Sequence, residues 1–119
     1  MSKRSPITSH VLDTALGVPA SNLPLSLTRL NEKAEFELLA SGLTDADGRC
    51  STLLDPSTYS PLTPGIYRVR FDTRTYLEQT KQPVFYPVIE IVFRIQNGDE
   101  HYHIPLLLSP YGYSTYRGS

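Results

Sequence analysis

Polar and apolar residues alternate with a period of two through most of this chain. That period predicts strands, because successive side chains on an extended backbone point to opposite faces. Pro24 to Leu30 places Leu25 and Leu27 on one face and Ser26 and Thr28 on the other. Glu35 to Ala40 predicts Phe36 and Leu38 inward against Glu35 and Glu37 outward, and Gly65 to Phe71 sets Tyr67, Val69 and Phe71 against Ile66, Arg68 and Arg70. Pro87 to Ile95 carries Ile89, Ile91, Phe93 and Ile95 on one face. Ile7 to Thr14 reads as a first strand, with Thr8, His10 and Leu12 sharing a face. His101 to Leu108 is another, its histidines His101 and His103 opposed to Tyr102, Ile104 and Leu106, and Tyr111 to Tyr116 is the last.

Ten prolines and seven glycines cut these segments short. Gly17 to Asn22 and Asp55 to Pro64 read as loops. Thr44-Asp-Ala-Asp-Gly48 is a turn, since Asp-Gly tolerates positive φ, and Arg49 emerges from it at the start of a short strand through Leu54. Asn97-Gly98-Asp99 predicts a hairpin joining the strands on either side. Thr73 to Thr80 is the one helical candidate, with Thr75 and Glu78 spaced as a capping box. Seven or eight strands and one short helix make an all-β sandwich, and residues 1–119 suffice for one domain with a core of its own.

Charge narrows the function classes. Eleven basic and twelve acidic residues give a net charge of −1 without a Lys/Arg cluster, which argues against nucleic acid as a partner. No apolar run reaches the length of a membrane span. The lone Cys50 forms no internal disulfide. Met1 to Pro6 is basic with no apolar stretch behind it, so no secretory signal is visible and a cytoplasmic location is expected.

Three histidines carry the candidate chemistry. His101 and His103 sit at strand spacing, and His10 could supply a third ligand to a metal such as zinc. Acid–base chemistry suits the same residues, because the imidazole pKa lies near neutrality. Plain surface histidines are the third reading, and spacing alone does not choose among them. Asp45-Ala46-Asp47-Gly48 resembles the opening of a calcium loop, but the twelfth position is Pro56 rather than a bidentate Glu, so that reading fails. Ser109 and Ser114 lack a Gly-x-Ser-x-Gly context, and Cys50 reads as packing. Chain ends are usually bland, yet this one closes on Tyr116-Arg117-Gly118-Ser119.

Four stretches together resemble the transthyretin-like 5-hydroxyisourate hydrolases. They are Ile7-Thr-Ser-His-Val-Leu-Asp-Thr14, Thr44-Asp-Ala-Asp-Gly-Arg49, His101-Tyr-His-Ile-Pro-Leu-Leu-Leu-Ser-Pro110 and Tyr116-Arg-Gly-Ser119. They span essentially the whole chain in the family's order, and the terminal tetrapeptide sets the hydrolases apart from the hormone-carrying transthyretins. The resemblance implies a transthyretin-like (prealbumin-like) sandwich of two four-stranded sheets with one short helix. It implies a homotetramer, a dimer of dimers, whose channel holds the active sites. It also implies hydrolytic opening of 5-hydroxyisourate in urate breakdown, with no metal or organic cofactor. By the same resemblance His10, Arg49, His103 and Ser119 are catalytic, and Tyr116, Arg117 and Gly118 join His10, Arg49 and Ser119 in binding substrate. His101 is not carried over.

Overall fold

The structure, a computed structural model, describes residues 4–119, so Met1 to Lys3 of the basic N-terminal stretch lie outside the described residues. In chain order the elements are β1 (Ile7–Asp13), β2 (Val18–Pro19), β3 (Pro24–Leu30), β4 (Phe36–Leu43), β5 (Arg49–Cys50), α1 (Pro56–Tyr59), β6 (Gly65–Phe71), α2 (Thr73–Gln79), β7 (Ile89–Ile95), β8 (Tyr102–Ser109) and β9 (Gly112–Thr115). They form two sheets. In the first, β1 pairs parallel with β8, and β8 pairs antiparallel with β9. The other edge of β1 is divided: β2 pairs at Leu12 and Asp13, and β5 pairs at Ser9 and His10. This sheet is therefore four strands wide although five strands contribute. The second runs β4-β3-β6-β7, antiparallel throughout.

The sheets pack face to face through the residues that alternation places inward. Ile7 and Val11 of β1, Leu27 of β3, Val69 and Phe71 of β6, Ile89 and Ile95 of β7 and Leu106 and Leu108 of β8 are all sealed from solvent. Burying side chains of this size stabilises by about 1.5–3 kcal/mol each, before the entropy of ordering them is counted. Asp13 is a polar member of this interior. Its carboxylate accepts hydrogen bonds from Tyr76 Oη at 2.7 Å, Gln82 Nε2 at 2.8 Å and the amides of Ala15 and Leu16 at 3.0 and 2.9 Å. Burial pushes that carboxyl up, and these bonds more than offset it, so its pKa lies below the usual value. The cluster ties α2 to the end of β1.

Several expectations are corrected. Leu38 is 65% exposed rather than inward, and Phe36 lies outside beneath the Arg68 guanidinium at 4.1 Å. The cause is an irregularity in the β3–β4 register: Leu27 pairs with Ala40 and Thr28 with Leu38, so Leu39 is an extra residue. Two residues then oppose one, and Leu39 and Ala40 reach the core while the first half of the strand is turned over. Asn97-Gly98-Asp99 is not a hairpin, because β7 and β8 belong to different sheets and the turn is a corner between them. A Cβ at Gly98 would fall on the Leu62 carbonyl, so close backbone approach is what requires glycine there. The α2 cap is Asp72, which accepts from Thr75 N and from Thr75 Oγ1, so Thr75 lies inside the first turn and the box expected of Thr75 and Glu78 does not start the helix. Within Asp55 to Pro64 a second helix, α1, starts at an Asp55 cap, and the strand from Arg49 ends at Cys50.

Candidate active site

Register brings the separated motifs to one place. On the outer face of the first sheet Thr8 stands opposite His103, and His10 stands opposite Pro105 on one side and Arg49 on the other. His10 and His103 are thus diagonal neighbours on adjacent strands, a separation that side chains of this length can bridge. Arg49 arrives through the Thr44–Gly48 turn. Thr44 is buried and anchors it, donating to Ala20 O at 2.6 Å and accepting from Leu23 N at 2.9 Å. Asp45 Oδ1 accepts from the amides of Asp47 and Arg49 at 2.9 and 3.0 Å, and these bonds, the Arg49 amide foremost, hold its carboxyl below the usual range. Gly48 has φ of +75°, and a Cβ there would lie 2.4 Å from Val11 O, so the turn can close on β1 only with glycine.

Each histidine is held by a different partner. His10 Nε2 lies 2.9 Å from the Asp47 carbonyl. A carbonyl only accepts, so Nε2 carries the proton and Nδ1 is the ring's free nitrogen. His103 Nδ1 lies 2.8 Å from Thr8 Oγ1, and the same oxygen lies 3.1 Å from His101 Nε2. The two rings are nearly parallel, with centroids 6.5 Å apart. Burial pulls the His103 pKa below its ordinary value, and the charges of His10, Arg49 and Arg4 pull it the same way. His101 is lowered likewise, by burial first and then by Arg4, His103 and Arg117. The Arg49 guanidinium is exposed and makes no hydrogen bond or ion pair among the described residues. The site thus offers two imidazoles and one unspent cationic fork.

The terminal tetrapeptide divides. Gly118 N donates to His103 O at 2.9 Å in an isolated bridge, which lays the glycine along the imidazole. Ser119 follows and is exposed. Arg117 turns to the far end of β8, where its guanidinium lies 4.4 Å over the Tyr102 ring and Nη2 donates to Glu100 Oε2 and His101 O, each at 3.3 Å. Tyr116 lines a cavity of about 320 Å³ between the sheets, with Ile91, Phe93 and Ile104. Gly118 is therefore the member of the four that touches a candidate catalytic ring.

Metal chemistry finds no cage: no group of three His, Cys, Asp or Glu side chains converges among the described residues. Cys50 is buried and its thiol is pushed up by burial, consistent with packing. Sequence reasoning gave Thr8 no role, although its place two residues before His10 puts it on the same face. The signal was the spacing, and the partner across the sheet was not visible.

Residues 7–118 match the model of the HIUase/Transthyretin family. The 5-hydroxyisourate hydrolase of Mus musculus is 47% identical over 116 residues, covering 97% of this chain and 96% of that protein. The enzyme of the same name from Pseudomonas aeruginosa is 41% identical over 118 residues, covering 95% and 90%. Among solved structures, Klebsiella pneumoniae 5-hydroxyisourate hydrolase superposes with a TM-score of 0.81 at 33% identity over the full length of both chains. Sea bream transthyretin in complex with thyroxine superposes with a TM-score of 0.88 at 32% identity, covering 96% and 95%. Two sheets in this topology, motifs drawn together on one outer face and a match across nearly every residue agree: the chain belongs to the HIUase/transthyretin family.

Proposed function

We propose that this protein hydrolyses 5-hydroxyisourate to 2-oxo-4-hydroxy-4-carboxy-5-ureidoimidazoline by histidine-assisted attack of water, with Arg49 stabilising the charge that develops. That it is an enzyme of the 5-hydroxyisourate hydrolase type follows from its relatives, matched over 90% or more of their length. The mechanism is our reading, and the observation that carries it is the convergence of His10, Arg49 and His103 on one sheet face.

The steps follow from the groups available. His103 is half-buried among cations and stays neutral, so its free nitrogen accepts a proton from water as the oxygen attacks a ring carbonyl. General-base assistance of this kind is typically worth ~10²–10⁴-fold. The carbonyl electrons move onto oxygen, and the Arg49 fork stabilises that oxyanion while staying charged at any working pH. The carbon–nitrogen bond then breaks as the departing ring nitrogen takes the proton that His103 received from water, while His10, its Nε2–H held by the Asp47 carbonyl, orients the water. Ser119 closes the floor beside Gly118. Water is the only co-reactant, and no electrons are transferred. The subunits assemble as a tetramer, a dimer of dimers, with the sites at the walls of its channel.

Likeness to a hormone-carrying transthyretin does not decide against this, because one scaffold hosts unrelated sites. A carrier channel for an apolar ligand has no use for a desolvated imidazole beside an unpaired guanidinium. The test is to generate 5-hydroxyisourate with urate oxidase and follow its absorbance with and without the protein. Decay no faster than the spontaneous rate would leave the carrier reading in its place.

A further inference from the structure

We propose that Thr8 and His101 are positioning residues for His103: the Thr8 hydroxyl accepts a hydrogen bond from Nδ1–H of His103 and donates its own proton to Nε2 of His101, leaving Nε2 of His103 as the nitrogen with a free lone pair. The inference rests on the reading of His103 as general base and adds what fixes that base in its working form.

The argument begins with a count of protons. Thr8 Oγ1 contacts Nδ1 of one ring at 2.8 Å and Nε2 of the other at 3.1 Å, and a hydroxyl has one proton to give. At least one ring must therefore donate to Thr8, and because its hydroxyl has no other partner among the described residues, the hydroxyl proton goes to the other ring. Because different nitrogens face the hydroxyl, two senses exist: both rings carry the proton on Nδ1, or both carry it on Nε2. Only the first leaves His103 Nε2 able to take a proton from water. That nitrogen has no hydrogen-bond partner among the described residues and is not sealed from solvent, so it is open to a bound water.

The surroundings favour the same sense. Nδ1 of His101 is buried without a hydrogen-bond partner among the described residues, and a Ser5 backbone acceptor beside that ring favours its donor form. Thr8 is itself only 6% exposed, so water does not compete for its hydroxyl. The charged and titratable groups around the pair are Arg4 before β1, His10 on β1, Arg49 on β5, and Glu100 and Arg117 at the far end of β8. Burial first, and then the neighbouring cations, lower both pKa values and favour the neutral rings, the condition under which one can accept and the other donate. When His103 takes up a proton at Nε2, its Nδ1–H bond to Thr8 persists, so the network needs no rearrangement during the reaction.

Long-range ¹H–¹⁵N correlation spectra of the ¹⁵N-labelled wild-type protein at pH 8 read the tautomers directly. We expect both His101 and His103 to carry the proton on Nδ1, the form that free histidine disfavours. Thr8→Val preserves the β-branched shape, and it should return His103 toward the Nε2–H form and lower kcat by roughly 10- to 100-fold, the range typical when an orienting partner is lost. Thr8→Ser keeps the hydroxyl and should restore both the spectrum and the rate. His101→Phe leaves Thr8 free to donate to His103 and should likewise shift its tautomer and slow turnover. An Nε2–H form of both rings in the wild type, or Thr8→Val turning over within about two-fold of it, overturns the positioning role and leaves the hydrolase reading standing. Full activity in His103→Ala overturns both.

Discussion

Gly118 lies so close to His103 that a Cβ on the glycine would fall 2.5 Å from Cδ2 of the imidazole and 3.2 Å from Cγ of Pro105. The chain end is thereby used as a wall for the ring, and its backbone bond to His103 O fixes the distance. Gly118→Ala must push the tail off the ring or the ring off its partner. We expect kcat/KM to fall by about 10- to 100-fold, since displacements near 1 Å cost that much in a positioned site. The thermal midpoint should hardly move, because exposed terminal residues contribute little to stability. Steady-state kinetics and a melting curve on the same preparation check both parts.

The pH profile carries the second prediction. His103 must be neutral to accept a proton, and burial together with His10, Arg49 and Arg4 holds its pKa below the ordinary 6.5. A lowered pKa keeps the base form populated to lower pH, so activity should be flat through neutrality. The acid limb of kcat/KM should lie below pH 6.5 rather than at it. An acid limb above that value would show that the ring is not desolvated as its setting requires.

Arg49→Lys separates charge from geometry. The substitution keeps a cation near His103 but replaces two parallel donors with a single ammonium. The acid limb should stay in place while kcat falls by about 10²-fold, as when one donor to a developing oxyanion is removed. A rate within a few-fold of wild type would mean that Arg49 supplies charge alone.

Asp13 tests the support behind the site. Asp13→Ala strands the buried Tyr76 hydroxyl and removes the acceptor of the Ala15 and Leu16 amides, and should cost about 1–3 kcal/mol by the usual penalty for a buried group without a partner. The folded-state pKa of this carboxyl lies below 3.8, so its contribution is fully present above that value and is lost as pH falls through the folded pKa. The gap between the urea midpoints of wild type and Asp13→Ala should narrow as pH is lowered below 3.8.

Strands with an uninterrupted period were legible from sequence alone. Gly65 to Phe71 folds with the inward set expected, and so do the opposed faces of Tyr102 and His103. Where a local irregularity intervenes, the period misleads: the extra residue Leu39 turned Leu38 outward, and nothing in Phe36-Glu-Leu-Leu marks a bulge. Turn chemistry at Asn97-Gly98 identified a reversal but could not say that it crosses between sheets, since a corner and a hairpin use the same residues. The position of the site was legible only through the resemblance, because β1 and β8 are far apart in the chain and their parallel register is a long-range property. The link from Thr8 to both His101 and His103 lies across that same register, and so no spacing rule could reveal it.

The central claim is that this face of the sheet opens 5-hydroxyisourate, with His103 taking the proton from water. Its most direct test compares wild-type protein and folded His103→Ala at equal concentration, following decay of freshly generated 5-hydroxyisourate at neutral pH. The account predicts rapid decay with the wild type and a rate lower by about 10²–10⁴-fold with the variant. Decay at the spontaneous rate with the wild type, or equal rates for the two proteins, would contradict it.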